Sequence, residues 1–299
     1  MRVFVTGATG FVGNAVVREL LAAGHSVLGL ARSDSGAQAL LSAGAEVQRG
    51  DLEDLDSLRQ GAAASDAVIH TAFRHDWSRF AESCALDRRA IEAMGEVLRD
   101  SSRPFLITGG LAVIAPGRPA NEDDPPVPVS GSHPRASEAT AAALEAQGVS
   151  TAVVRLPQVH DTTKQGLVSY LISVAQEKGV SAYVGEGQTR WAAVHREDAA
   201  RLYRLALEKH QKGRRYHAVA EEGVTLREIA TAIGEGLQLP VRSILPEQAP
   251  EHFGFFGVFA GMNLQGTSAK TREWLGWNPE GSGLIADLKQ RDYGQTVPR

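Results

Sequence analysis

Cysteine is nearly missing from this chain: its 299 residues include one, Cys84. A single thiol excludes a disulfide scaffold and a cysteine-built zinc site within one chain, and such a residue reads first as a small buried hydrophobe. Lysine is scarce as well. Lys and Arg together number 31, only six of them Lys, and the first is Lys164. No tyrosine occurs before Tyr170. Charge of neither sign dominates, with 35 acidic residues against 31 basic ones and a net charge of -4, so no nucleic-acid footprint is expected. No apolar run is long enough to span a bilayer, and no signal segment precedes the opening strand Val3-Phe4-Val5. The expectation is a cytoplasmic protein that meets small molecules rather than membranes, as a monomer or homodimer. What is plentiful is ordinary core material: 43 % hydrophobic and 22 % charged residues.

The first half alternates β-branched runs with helical patterns, the mark of a parallel sheet. Strands are expected at Val3–Thr6, Ser26–Ala31, Ala45–Arg49, Asp66–His70, Phe105–Thr108 and Thr151–Leu156. Phe11–Ala23 patterns as a helix with Val12, Ala15, Val16, Leu20 and Ala23 near one face, closed by Gly24. A long helix is expected over Trp77–Asp100. Six of the 13 prolines fall within residues 115–134, which reads as a surface excursion. Beyond residue 156 strands thin out, to short candidates at Ser181–Val184 and Trp191–Val194, with helices at Glu197–Lys209 and Leu226–Gly236. The fold class is α/β: a doubly wound parallel sheet of the Rossmann type with a small C-terminal substrate lobe. Residues 1–156 and about 190–220 are assigned to the dinucleotide-binding domain, and 157–189 and 221–299 to the lobe.

The most informative motif is Thr6-Gly7-Ala8-Thr9-Gly10-Phe11-Val12-Gly13, placed where a strand turns into a helix. Gly7 suits a tight turn, Gly10 keeps a Cβ out of a pyrophosphate's path, and Gly13 allows close helix packing. The helix start then offers free N–H groups to phosphate. An NAD-selective site usually ends its second strand with an acidic residue for the ribose 2′-hydroxyl. Here the strand ends Ala31-Arg32-Ser33. A guanidinium at Arg32 and a hydroxyl at Ser33 suit a 2′-phosphate, so NADP(H) is expected ahead of NAD(H), with Asp34 starting the next helix.

These residues resemble the short-chain dehydrogenase/reductase superfamily in its extended and atypical branches, the NAD-dependent epimerase/dehydratase type. Four further segments carry the likeness. Gly50-Asp51-Leu52 resembles the pair that flanks the adenine, and Val68-Ile69-His70-Thr71-Ala72 the strand-four segment beside the cofactor. Arg155-Leu156-Pro157-Gln158-Val159-His160 and Val194-His195-Arg196-Glu197-Asp198-Ala199-Ala200 are similar to two downstream elements of that family. The resemblance implies that Asp51, Leu52, Thr71 and Ala72 join Thr6, Gly7, Thr9, Gly10, Phe11, Val12, Gly13, Arg32 and Ser33 in holding the cofactor.

The resemblance also implies a Ser, a Tyr and a Lys four residues after it, and these are missing. The Ser position falls on Gly110, or on Gly109 with a one-residue shift, the Tyr on Pro134 and the Lys on Glu138. The replacement candidates are Thr108 as the surviving strand-five hydroxyl and His75, His133 and His160 as acids or bases. Arg135 could hold a cofactor ribose or a substrate oxygen, Glu138 could pair with an Arg, and His195 could brace the fold. The leading expectation is an NADP(H)-dependent oxidoreductase acting on a small, activated organic substrate. A non-catalytic NADP(H)-binding sensor or scaffold is the second reading and a sugar epimerase/dehydratase the third. The aromatics Phe253, Phe255, Phe256, Phe259, Trp274 and Trp277 could wall a pocket or form the lobe's core.

Overall fold

The computed structural model describes residues 1–294, apart from the side chains of Phe255 and Val258, so Phe255 as a pocket residue lies outside the described side chains. The first half alternates as β1 (Arg2–Thr6), α1 (Phe11–Ala22), β2 (Ser26–Ala31), α2 (Asp34–Ser42), β3 (Glu46–Arg49), α3 (Leu55–Ala63), β4 (Ala67–His70), α4 (Phe80–Leu98), β5 (Phe105–Gly110), α5 (Ser137–Ala146) and β6 (Thr151–Leu156). The second half holds β7 (Gln158–His160), α6 (Val168–Lys178), β8 (Ser181–Val184), β9 (Arg190–His195), α7 (Arg196–Glu208), β10 (Arg215–His217), β11 (Glu221–Thr225), α8 (Leu226–Leu237) and β12 (Val241–Ile244). It ends in α9 (Ala249–Phe253), α10 (Gly257–Ala260), α11 (Ala269–Leu275) and α12 (Leu284–Gln290).

Seven strands form one sheet in the order β3-β2-β1-β4-β5-β6-β10, with every pairing parallel. The inner strands β1, β2, β4 and β5 carry apolar runs because both faces are covered, whereas the edge strands β3 and β10 do not. Val3 and Val5 point into a core shared with α1 and α7, while Phe4 points the other way, against α3 and α4. The chain winds outward from β1 to β3, then resumes at β4 on the opposite side of β1. The crevice for a ligand therefore opens at the carboxyl ends of β1 and β4. A three-stranded sheet (β11-β9-β7) and a two-stranded one (β12-β8) organise the second half. Among the described residues no helix is long and apolar enough to cross a membrane.

Two local expectations change, and a third gains detail. The helix expected from Trp77 begins as a separate tight turn, Trp77–Arg79, because the Asp76 carboxylate accepts from the N–H groups of Ser78 (3.1 Å) and Arg79 (3.3 Å). The fifth strand runs on through Gly109 and Gly110 to stay paired with Arg155 and Leu156. The proline-rich segment runs over the surface as expected and is anchored at points along it. Glu122, almost fully buried, accepts from the Thr271 N–H (2.7 Å) and hydroxyl (2.8 Å), and Ala120 bridges to Gly266.

Candidate functional site

The glycine turn divides its tasks unevenly. Gly7 has φ +69, and a Cβ there would come within 2.7 Å of the Ala72 nitrogen. A Cβ on Gly13 would overlap the Gly7 carbonyl, so this glycine packs the helix against the turn itself. Gly10 differs: its ideal Cβ meets only the Gly7 oxygen, at 3.1 Å, and otherwise faces open space. The α1 start carries no side-chain cap and no acidic residue in its first turn. An open cradle before an uncapped helix start fits a pyrophosphate. Arg196 lies with its guanidinium carbon 5.0 Å from the centre of the Phe11 ring, adding a cation beside that start which the sequence did not single out.

Thr6 and Thr71 act from inside. The Thr6 hydroxyl is fully buried and bonds His70 Nδ1 (2.7 Å), and the Thr71 hydroxyl donates to the Thr6 carbonyl (2.7 Å). They fix the ends of β1 and β4. At the end of β2, Ser33 caps α2, its hydroxyl accepting from the Gly36 N–H (3.1 Å). Asp34 begins that helix and is held by Arg49 (2.7 Å), which also donates to the Ser33 carbonyl (2.7 Å). Arg32 is exposed and has no partner among the described residues. Asp51 Oδ1 accepts from the N–H groups of Glu53 (2.7 Å) and Asp54 (3.1 Å), which sets the turn after β3.

The end of the crevice at β5 and α5 departs most from expectation. The Thr108 hydroxyl donates to the His70 carbonyl (2.7 Å) and bonds the Tyr203 hydroxyl of α7 (2.6 Å). Half-buried, its hydroxyl is already engaged by these two partners, so it is less free for a substrate than its residue type suggested. Tyr203 is fully buried, and burial raises its pKa far above the ordinary phenol value despite the Thr108 bond. His160 likewise does not open on the crevice. It is fully buried and bonds Asp287 of α12 (2.7 Å), 5.9 Å ring to ring from His195. His195 caps α7 with its ring and so braces the fold.

Glu138, in the Lys position, is locked to the fully buried Arg155, whose Nε and Nη2 approach its carboxylate at 3.0 and 2.8 Å. Arg135 is the group that faces the vacated space. Its Nε donates to the Ser137 hydroxyl (3.1 Å) and its Nη2 to the Thr108 carbonyl (3.3 Å), and its carbon sits 4.6 Å from the Phe73 ring centre. A Cβ on Gly110, the Ser position, would lie 3.7 Å from Arg135 Nη1 with nothing nearer.

A buried polar chain supports Arg135. The Ser137 hydroxyl donates to Asp87 Oδ2 (2.6 Å), Asp87 Oδ1 bonds His70 Nε2 (3.1 Å), and His70 Nδ1 meets Thr6. Burial pushes the Asp87 carboxyl up, but His70, Arg135 and Ser137 together outweigh burial and hold it below its ordinary value. No short-range sequence pattern signals this chain, since its members come from four elements.

His75 and His133 remain beside Arg135. Both imidazoles are held below their ordinary pKa, first by burial and then by the Arg135 charge, with Lys164 adding to the effect on His75. His75 is nonetheless exposed at the surface, so water offsets much of the burial effect there. An aromatic wall continues from there: Phe73 to His75 (5.2 Å), His75 to Trp77 (6.0 Å), Trp77 to Phe256 (5.1 Å) and Phe256 stacked on Tyr170 (3.8 Å). Phe253 and Phe256 are buried in the lobe's core and Trp277 in the main core, so most of the C-terminal aromatics hold the fold together.

Comparison with known proteins identifies the family and the fold. A profile of the NAD dependent epimerase/dehydratase family matches residues 3–220. A Schizosaccharomyces pombe protein described as uncharacterized is 47 % identical, over 98 % of this chain and 100 % of that one. The 4-hydroxy-2-methyl-3-oxo-4-farnesyl-3,4-dihydroquinoline-1-oxide ketoreductase of Stigmatella aurantiaca is 29 % identical, over 83 % of this chain and 77 % of that one. Among solved structures, the Thermus thermophilus UDP-glucose 4-epimerase complex with NAD superposes with a TM-score of 0.74 at 21 % identity, over 99 % and 98 % of the two chains, a likeness of fold.

Proposed function

The chain belongs to the NAD dependent epimerase/dehydratase family, and from that premise we propose that it is an NADP(H)-dependent oxidoreductase that works without the Tyr-Lys pair. The observation that carries this reading is Arg32, exposed and unpartnered at the end of β2, while Arg49 already neutralises the nearby Asp34. That leaves a free guanidinium where a 2′-phosphate would arrive. Gly10, Phe11, Val12 and the α1 start would receive the pyrophosphate, and Asp51, Leu52 and Ala72 would line the path.

A bound nicotinamide dinucleotide supplies the hydride chemistry, and the protein supplies position and electrostatics. Arg135 is placed to hold a substrate oxygen on which negative charge develops. Partial burial and the Arg135 charge lower the pKa of both His75 and His133, which disfavours the protonated, proton-donating form of each. Proton delivery then falls to water, which suits an already activated carbonyl or enone. The ketoreductase among the relatives supports carbonyl reduction.

The test is calorimetry with the two cofactors, followed by NADPH consumption over a panel of conjugated carbonyl compounds. NADPH should bind more tightly than NADH, and Arg32→Ala should remove most of the difference. Equal affinities for the unmutated protein would sink the cofactor assignment. A second reading, a non-catalytic NADP(H) sensor, is favoured by one feature: Glu138 is locked to Arg155 in the Lys position. NADPH binding with no turnover across the panel, and with Arg135→Gln binding NADPH normally, would favour it.

A further inference from the structure

The cradle at the start of α1 offers backbone N–H groups, and a dinucleotide would bring two phosphate charges to it. The first turn of α1, Phe11 to Asn14, carries no charged side chain of its own. A cation reaches it from the other half of the chain. Helices α1 and α7 lie side by side and run the same way, with Arg18 on Glu197 (2.8 Å), Glu19 on Arg204 (2.7 Å) and His25 on Glu208 (3.2 Å). Both helices therefore start at the carboxyl edge of the main sheet. Arg196, the first residue of α7, lies against Phe11, the first residue of α1, its guanidinium carbon 5.0 Å from the ring centre. The Arg196 side chain is 22 % exposed, which leaves part of it open to a ligand there.

Arg196 is held in place by its neighbours. Its Nη1 meets Asp161 Oδ2 (2.9 Å), and its Nη2 and Nε donate to Glu197 Oε1 (3.1 and 3.3 Å). Asp161 is itself fixed. Its Oδ1 accepts from the Thr163 and Lys164 N–H groups, and its carbonyl accepts from the Gln165 amide (2.7 Å). Arg291, just past α12, holds the same loop by donating to the Gln165 side-chain oxygen (3.1 Å) and to the Thr163 carbonyl. A guanidinium has five N–H groups. Asp161 takes one and Glu197 two, so one remains on each terminal nitrogen. The carboxylates thus set the plane of the fork without exhausting it, and a fork fixed in advance suits phosphate oxygens. We propose that Arg196 is a dinucleotide-binding residue, lent by α7 to the pyrophosphate at the start of α1 and held ready by Asp161. This rests on the reading of the glycine turn as the cofactor site and adds to that site a residue from outside the turn.

The experiment titrates the full chain calorimetrically with NADPH, NADH and ADP-ribose, which share a pyrophosphate and differ elsewhere. Arg196→Gln should weaken all three by a common factor of about ten. Arg196→Lys keeps the charge for Asp161 and Glu197 but loses the fork. It should show a smaller loss, again common to all three, and it carries the test should the Gln variant not fold. Arg18→Gln is the control. It removes the same charge from the same Glu197, two turns further along α1, and should leave every affinity within about twofold. Circular dichroism and melting temperature matching the parent show that each variant is folded. Unchanged affinities in the folded Arg196 variants, a loss confined to NADPH, a loss that spares ADP-ribose, or an equal loss in Arg18→Gln overturns the proposal. Equal NADPH and NADH affinities in the parent sink the NADP(H) preference alone and leave a common Arg196 effect standing. A clear NADPH preference that Arg196→Gln leaves intact, with no affinity lowered, sinks this proposal alone. No binding of any of the three by the parent removes the cradle reading and the proposal with it.

Discussion

Gly10 and Gly13 stand three positions apart in one turn, yet the space around them predicts opposite phenotypes. A side chain on Gly13 overlaps the Gly7 carbonyl, a backbone atom that cannot move aside, so Gly13→Ala should damage folding. A side chain on Gly10 meets only one atom, at 3.1 Å, and its extended backbone (φ -79, ψ 174) accepts a branched residue. Gly10→Val should therefore fold and fail to bind NADPH. A folded Gly10→Val protein with ordinary NADPH affinity would show that the dinucleotide lies elsewhere. The proton donor is also decided at this scale. The lowered pKa values of His75 and His133 disfavour their protonated forms, so turnover should show no inflection near neutrality. His75→Gln and His133→Gln should each stay within a few-fold of the parent, against the roughly 100-fold loss expected on removing a true acid. Tyr170, whose hydroxyl donates to the Phe253 carbonyl (3.4 Å), should be replaceable by Phe without loss of turnover. Loss of turnover in any of these three variants, with NADPH binding kept, would identify the missing acid.

At the scale of elements, Asp87 is where α4 grips both β4, through His70, and α5, through Ser137. Folding lowers its pKa. The stability it contributes is therefore fully present above the unfolded carboxyl value, about pH 4, and is lost as pH falls through the lowered folded value. Asp87→Asn should cost about 2 kcal/mol at neutral pH, measured by urea unfolding, and should flatten the acid limb of the stability curve. An acid limb as steep as the parent's would mean that other carboxylates set it. The elements that sequence alone discloses are those built on strong local period. Ser26–Ala31 and Thr151–Leu156 match the observed strands end to end, since buried parallel strands write unbroken apolar runs. Strands β7, β11 and β12, of three to five residues, and helix α6 leave no comparable signal and exist through partners distant in the chain. The same reason hid the true neighbours of Thr108. Its residue type suggested a catalytic hydroxyl, but Tyr203, 95 positions later, claims it. Glu138 was legible as an Arg partner, whereas the Thr6-His70-Asp87-Ser137 chain was not.

At the scale of the whole molecule, the question is whether the second half is a separable lobe. Its own core gathers Val168, Ile172, Ile229, Phe253 and Phe256. Yet the segment around α11 returns to the main sheet. Leu275 and Trp277 share a core with Val3, Val5 and α7, and the Trp277 indole donates to the Asp198 carbonyl (3.0 Å). The backbone N–H groups of Glu280 and Gly281 donate to the buried Asp198 carboxylate (3.0 and 2.7 Å), and Asp287 of α12 binds His160 beyond β6. Opening the lobe would expose these buried charged groups as well as apolar surface, which argues for one cooperative unit. A ligand that touches only the carboxyl edge of the main sheet should then stabilise the whole chain. At a hundredfold excess over its dissociation constant, NADPH contributes about 2.7 kcal/mol, which for a chain of this size corresponds to roughly 5 °C. Differential scanning calorimetry should show a single transition that NADPH moves by that order and NADH, at the same concentration, moves less. Two transitions of which NADPH shifts only one would show that the lobe melts on its own and that the Trp277 and Asp198 contacts do not couple it to the sheet.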